Sequence, residues 1–146
     1  MSYYGKTPLG FRSMSPAAQV RRMLNATRIA VVGLSDDPGR ASFRVASYLR
    51  SVGKEIVPVN PNCRNILGIE CHATLEDIVG PIDVVNVFRR SEFCPEIVTS
   101  AINVGAKGVW LQSGIVSRDA KDIAGEAGID FVQDRCFMVE HMRLGD

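Results

Sequence analysis

"VVGLSDDPGRAS", Val31 to Ser42, carries the decision about the fold. β-branched apolar residues run straight into Gly33, after which the chain turns polar and passes Pro38-Gly39 before reaching Arg40 and Ser42. This is the order expected where a buried strand ends, a tight turn follows and a helix begins. Gly33 suits the turn because glycine tolerates backbone angles closed to other residues. Pro38-Gly39 shape the rest of the loop, and Ser42 is placed to cap the helix or to bond a phosphate oxygen.

The same alternation continues outward. "RIAVV", "EIVPV", "IDVVNVF", "AKGVWLQ" and "IDFVQ" are apolar runs of strand length rich in β-branched residues. Amphipathic segments separate most of them, and helices are expected over Phe43–Ser51, Leu75–Val79, Pro95–Val104 and Arg118–Ala127. Gly53, Gly105 and Gly128 lie just past three of these, where left-handed caps are expected. "SPAAQVRRMLN" adds a Ser-Pro helix start before the first strand. Nearly continuous apolar strands belong to a parallel sheet covered on both faces, joined by right-handed crossovers. The expected fold is α/β: a Rossmann-like, three-layer α/β/α domain with a mostly parallel sheet of about five strands. It should span residues 17–146 behind an amino-terminal arm, residues 1–16, rich in Ser, Gly and Pro.

Composition limits the functions such a domain can have. With 146 residues, 46% of them apolar, the chain has the size and core of one domain. Seventeen basic and sixteen acidic side chains leave a formal charge of +1, so no global field draws it to nucleic acid or an anionic membrane. Anion binding must be local. The apolar runs are far shorter than the roughly 20 residues of a membrane span, and "MSYYGKTPLGFRSMSPAAQ" lacks the apolar centre of a secretory signal. Cys63, Cys71, Cys94 and Cys136 form no CxxC pair, which suits reduced thiols in a cytoplasm better than a disulfide scaffold. Neither Cys71-His72 nor Cys136 with His141 has a recognised zinc spacing, so no metal is expected.

In a doubly wound sheet, ligands sit beyond the carboxyl ends of the strands near the switch point, where amides at a helix amino terminus favour phosphate. "GLSDDPGRAS" does not spell the dinucleotide fingerprint GxGxxG. The second strand ends in "VPVNPNCRN", without the acidic residue that accepts from the ribose of NAD. Asn60-Pro61 can close around an adenosine without a carboxylate, and Arg64 or Arg40 can pair with a ribose phosphate. Coenzyme A and NADP both carry one.

An ordered set of motifs from about Ala26 onward, "RIAVVGLSDDPGRASFRVASYL", "IVPVNPN", "IDVVNVFRR", "GAKGVWLQSGI" and "DRCFMVEH", resembles the small bacterial and archaeal CoA-binding proteins of the YccU type. These are similar to the CoA-binding amino-terminal domain of the succinyl-CoA synthetase α subunit. The resemblance implies a Rossmann-like sheet that binds coenzyme A across its strand ends. It also implies that Gly33, Leu34, Ser35, Arg40 and Ser42 form the phosphate loop, that Asn60, Pro61 and Arg64 follow the second strand, and that Val87, Phe88, Arg89 and Arg90 line the next. Gln112 and Ser113, ending the strand after that, are polar contacts at the same edge, whereas Trp110 is expected in the core. The synthetase's chemistry needs a phosphorylated histidine in a further domain, and neither His72 nor His141 matches that motif. His72 is expected on the surface or in a loop.

The expected function is therefore binding of coenzyme A or an acyl-CoA without ligase chemistry. Two alternatives stay open. One is an NAD(P)-binding redox module. The other is a thiol-dependent enzyme or sensor acting through Cys136, the one candidate reactive thiol, with Glu140 on the same face if "CFMVEH" is helical. Arg135 would favour that thiolate and Glu140 would oppose it. The arm and "HMRLGD" can fold back on the domain or cross to another subunit, which leaves a homo-oligomer or a protein partner open.

Overall fold

Five strands pair in parallel in the order β2-β1-β5-β6-β7: β1 (Arg28–Val32), β2 (Glu55–Val59), β5 (Val84–Val87), β6 (Gly108–Leu111) and β7 (Asp130–Val132). The computed structural model describes residues 15–144. Most of the expected arm, residues 1–14, and the final "GD" lie outside the described residues. The strand count and segments match the sequence expectation. Setting aside a short hairpin described below, the order is the 2-1-3-4-5 of doubly wound sheets, whose direction of winding reverses between β1 and β5.

Alternation along the strands supplies two cores. Ile29, Val31, Val84, Trp110 and Val132 face one layer, made by α1 (Pro16–Leu24), α2 (Ala41–Ser51) and α5 (Phe137–Leu144). Ala30, Val32, Val85, Val109 and Leu111 face the other, made chiefly by α3 (Cys94–Asn103) and α4 (Arg118–Ala127). Residues of both registers are buried, which is why the strands read as unbroken apolar runs. Trp110 is fully buried as expected, packs on Phe137 at 4.5 Å between ring centroids, and donates its indole N–H to the Arg135 carbonyl at 2.8 Å. A buried indole needs such an acceptor.

The helices largely follow their expected limits. Ser15 caps α1 by accepting from the Ala18 amide, and Ser117 caps α4 by accepting from that of Ala120. Gly53, Gly105 and Gly128 all take positive φ, as left-handed caps require. Helix α2 begins two residues before its expected start at Phe43, so Ser42 lies inside it and Arg40 holds the cap position. The expected helix Leu75–Val79 is only a 3-10 turn, Leu75–Asp77, closed by a Thr74–Asp77 capping box. Ile78 returns to extended backbone, and Gly80-Pro81 then prevent helical continuation.

Two short antiparallel strands, β3 (Asn65–Ile66) and β4 (Ile69–Glu70), form a hairpin absent from the sequence expectation. Its two-residue turn places Leu67 at φ 57° and Gly68 at φ 73°, the paired positive angles that such tight turns need. Leucine is unusual there; its side chain packs on the α2 core, and Arg50 donates to its carbonyl at 2.6 Å. Just beyond the hairpin, His72 does not occupy a solvated loop. It bridges Val59 in parallel, donating to the Pro58 carbonyl and accepting from the Asn60 amide, both at 2.9 Å.

At the amino ends of the strands, Asp83 fastens β1. Its Oδ2 accepts from the amides of Thr27 and Arg28 and from the Thr27 hydroxyl, at 2.8–3.1 Å. These bonds, led by the Arg28 amide and helped by Lys107, hold the Asp83 carboxyl below its ordinary range despite partial burial. Lys54 donates to the carbonyls of Leu24 and Ala26, closing the end of α1, and burial pulls its ammonium pKa down.

Candidate functional site

The loops after β1 and β5 meet at the switch point. Gly33 turns there at φ 85°, and its amide donates to the Val59 carbonyl at 3.0 Å. A Cβ on Gly33 would stand 3.0 Å from the Phe88 carbonyl oxygen and 3.1 Å from Arg89 Cδ. Both the angle and the close approach therefore demand glycine.

Beyond Gly33 the loop organises itself with its own side chains. Leu34 is fully buried and anchors it. The Ser35 amide donates to the buried Ser42 hydroxyl oxygen, the Asp37 amide to Ser35 Oγ, and the Gly39 amide to Asp37 Oδ1, at 2.9–3.0 Å. Asn60 ties this loop to the end of β2: its Nδ2 donates to the Leu34 carbonyl at 2.9 Å, while its Oδ1 accepts from the Asn62 amide. Ser42 thus acts as an acceptor within the loop and not as the helix cap.

What this folding leaves over is the start of α2. Arg40, at the cap position, makes no side-chain capping bond, and the first turn contains no acidic residue. Among the described residues, the amides of Ala41, Ser42 and Phe43 have no acceptor. Three unpaired N–H groups at the positive end of an eleven-residue helix form a ready anion site. Helices α1 and α4, by contrast, carry their own serine caps.

Arg40 holds the cap position of this turn, and Arg89 lies beside the Gly33 turn. The exposed side chains of Arg40 and Arg64 have no hydrogen-bonded or ionic partner among the described residues. Arg89 lies over the Phe93 ring, 4.3 Å from its centroid, with no carboxylate partner among the described residues. Arg90 is more exposed and stands 3.9 Å from Glu92. Phe88 is half-buried against the α2 core, and Val87 is wholly in the opposite core. Beside the end of β2, a cleft of about 510 Å³ is walled by Asn60, Pro61, Cys63, Arg64, Cys71 and one carboxylate, Glu70.

The remaining expected residues separate. The Gln112 side chain is buried, and its Oε1 accepts from the Phe137 amide at 2.9 Å and from Asn86 Nδ2 at 3.4 Å. That carbonyl serves the fold, while Ser113 is exposed. Cys136 is half-buried at the residue before α5, and its carbonyl accepts from the Glu140 amide. Glu140 is held by Arg143 at 3.1 Å and approached by Arg135 at 3.9 Å. Cys94 is buried, its thiol directed at the Arg90 carbonyl, and burial pushes its pKa up. The sequence reading missed Cys63 and Cys71 as neighbours and Phe93 as the platform for Arg89.

The larger cleft, about 960 Å³, lies at the opposite end of the sheet. Two of its cations are matched within the fold, Arg22 pairing with Asp130 at 2.6 Å and Lys107 with Asp83 at 3.7 Å, while the exposed Lys121 on its rim has no ionic partner among the described residues. Among the described residues no three His, Cys, Asp or Glu side chains converge to hold a metal ion, and no helix is long and apolar enough to cross a membrane.

Comparison with known proteins places the chain in a family. The chain is 41% identical over 125 residues to the uncharacterized protein YneT of Bacillus subtilis (strain 168), covering 85% of this chain and 93% of that one. It is 27% identical over 114 residues to the ADP-forming acetate–CoA ligase II of Archaeoglobus fulgidus, covering 77% of this chain but only 16% of the ligase. Among solved structures, a hypothetical protein from Pyrococcus horikoshii OT3 superimposes with a TM-score of 0.84 at 34% identity, covering 97% of this chain and 99% of that one. The family model described as "CoA binding domain" matches residues 27–142, from just before β1 into α5. The chain belongs to the CoA binding domain family.

Proposed function

We propose that this chain binds coenzyme A, free or acylated, as a binding module without ligase chemistry. In this reading the diphosphate sits at the open first turn of α2, near Arg40 and Arg89. The adenosine lies in the cleft beside Asn60-Pro61, and Arg64 meets the ribose phosphate. The observation that carries it is the trio of unpaired amides at Ala41, Ser42 and Phe43, flanked by arginines without carboxylate partners among the described residues. Such groups gain a full charge-assisted interaction when a phosphate arrives. His141 supports a reading without phosphoryl chemistry, being buried and sharing a hydrogen bond with the Tyr48 hydroxyl at 2.8 Å.

Calorimetric titration of the reduced protein with coenzyme A, 3′-dephospho-coenzyme A, NAD and NADP tests the reading. Coenzyme A should bind most tightly, and removal of the 3′-phosphate should cost about 1.5–3 kcal/mol, the range for a hydrogen bond to a charged group. Binding of NAD without binding of coenzyme A would overturn the reading in favour of a redox module.

A further inference from the structure

Cys63 and Cys71 flank the β3–β4 hairpin and stand in the wall of one cleft. The Cys71 amide donates to the Arg64 carbonyl at 2.7 Å, which extends the hairpin ladder one pair beyond Asn65–Glu70. Cys71 is therefore directly across from the residue that follows Cys63. Residues one position removed from direct pairing in an antiparallel ladder are near neighbours, so a local adjustment at Arg64 can bring the two Cα atoms within the span a disulfide bridges. In an unbroken ladder the two side chains would point to opposite faces. Here the chain bends at Arg64, and both side chains pack half-buried against the same α2 core.

We propose that Cys63 and Cys71 are a redox-active dithiol that closes into a reversible disulfide, with small-molecule disulfides as oxidant, and that closure weakens nucleotide binding in the shared cleft. The coupling rests on the coenzyme A reading above. The Cys63 thiolate attacks one sulfur of the small disulfide; that S–S bond breaks, and one thiolate leaves and takes up the proton Cys63 gave. The Cys71 thiolate then attacks the Cys63 sulfur, and the second small thiolate leaves, taking up the proton from Cys71. Two protein thiols are oxidised and one disulfide is reduced to two thiols, with no further reactant. Cys71 acts second because burial, reinforced by Cys63 and Asp36, pushes its thiol pKa up. Closure draws in Cys63 and so shifts the bend at Arg64, moving that guanidinium from the place where it meets the ribose phosphate. By linkage, bound coenzyme A opposes oxidation by the factor that oxidation opposes binding.

The full chain is incubated with oxidised glutathione and mapped by peptide mass spectrometry, then titrated with coenzyme A in reduced and oxidised forms. A Cys63–Cys71 linkage is expected, retained in the Cys94→Ser/Cys136→Ser double variant. Cys71→Ser should instead accumulate a stable glutathione adduct at Cys63. Coenzyme A should bind the oxidised form about tenfold more weakly. Glutathione adducts without the internal bond, or bonds made only through Cys136, overturn the dithiol. A Cys63–Cys71 bond that leaves affinity unchanged overturns the coupling. A reduced protein that binds no coenzyme A overturns the functional reading and the coupling with it, while the peptide map still decides the dithiol independently.

Discussion

The two ends of the sheet differ in what their polar groups lack. At the amino ends lies the larger cleft, yet Arg22, Lys107 and Arg28 each meet a carboxylate, and Asp83 receives three hydrogen bonds from β1 and the residue before it. At the carboxyl ends the cleft is about half the volume, but three helix amides and the side chains of Arg40 and Arg64 have no partner among the described residues. Apart from the exposed Lys121, a ligand at the first end would compete with interactions already made. A phosphate at the second would supply interactions the fold does not make. Volume and unmet polar groups point to opposite ends, and the proposed function follows the unmet polar groups.

The comparison breaks most severely at Gly33. Gly33→Val forces a β-branched residue to φ 85° and drives a Cβ to 3.0 Å from the Phe88 carbonyl. Strain and overpacking together should cost about 3 kcal/mol or more of stability and abolish coenzyme A binding, read by urea unfolding and calorimetry. Gly53→Ala provides the control, because Gly53 has a positive φ but nothing lies within 4 Å of the place its Cβ would take. It should cost only about 1 kcal/mol and leave affinity unchanged.

At the amino end, Asp83→Ala should lower stability by about 1.5–3 kcal/mol without altering coenzyme A affinity, since it removes charged hydrogen bonds far from the loops. The pH dependence has a definite sign. The folded Asp83 carboxyl titrates below its ordinary value, so its stabilisation is complete above about pH 4 and is lost as pH falls through the depressed folded pKa. Urea unfolding across that acid range should show a component that Asp83→Asn removes.

The carboxyl end should show the opposite pattern. Arg64→Gln should weaken coenzyme A by about 1.5 kcal/mol or more, affect 3′-dephospho-coenzyme A much less, and change stability by less than about 0.5 kcal/mol. Equal losses for both ligands would remove Arg64 from the ribose phosphate. The smallest effect is expected for Lys107→Gln, whose ammonium is largely exposed and 3.7 Å from Asp83. Such a pair contributes about 0–1 kcal/mol, and coenzyme A affinity should not change.

Much of this was legible in the chain. The five strand segments, the Gly33 turn and the glycine caps follow from local periodicity and backbone preference, which neighbouring residues in sequence largely determine. The hairpin at Asn65–Glu70 was hidden because its strands are two residues long and its turn uses leucine in place of Asn or Asp. Leu67 accepts that angle while its side chain packs on the α2 core and Arg50 holds its carbonyl, contacts distant in sequence. His72 read as a loop residue for the same reason, since its pairing partner Val59 belongs to another segment.

The candidate site residues divide in the same way. By itself, the sequence determined which residue types border the strand ends: a glycine that must turn, arginines after three strands, and no acidic residue closing β2. Only the tertiary structure decided which of them remain available. Ser42 gives its oxygen to Ser35, Asn60 binds Leu34, and Gln112 supports Phe137, whereas Arg40, Arg64 and the first amides of α2 have no such partner among the described residues. The physical reason is that hydrogen-bond satisfaction depends on distance in space. A polar residue's capacity is written in its chemistry, but whether the fold consumes it is known only once the chain has closed on itself.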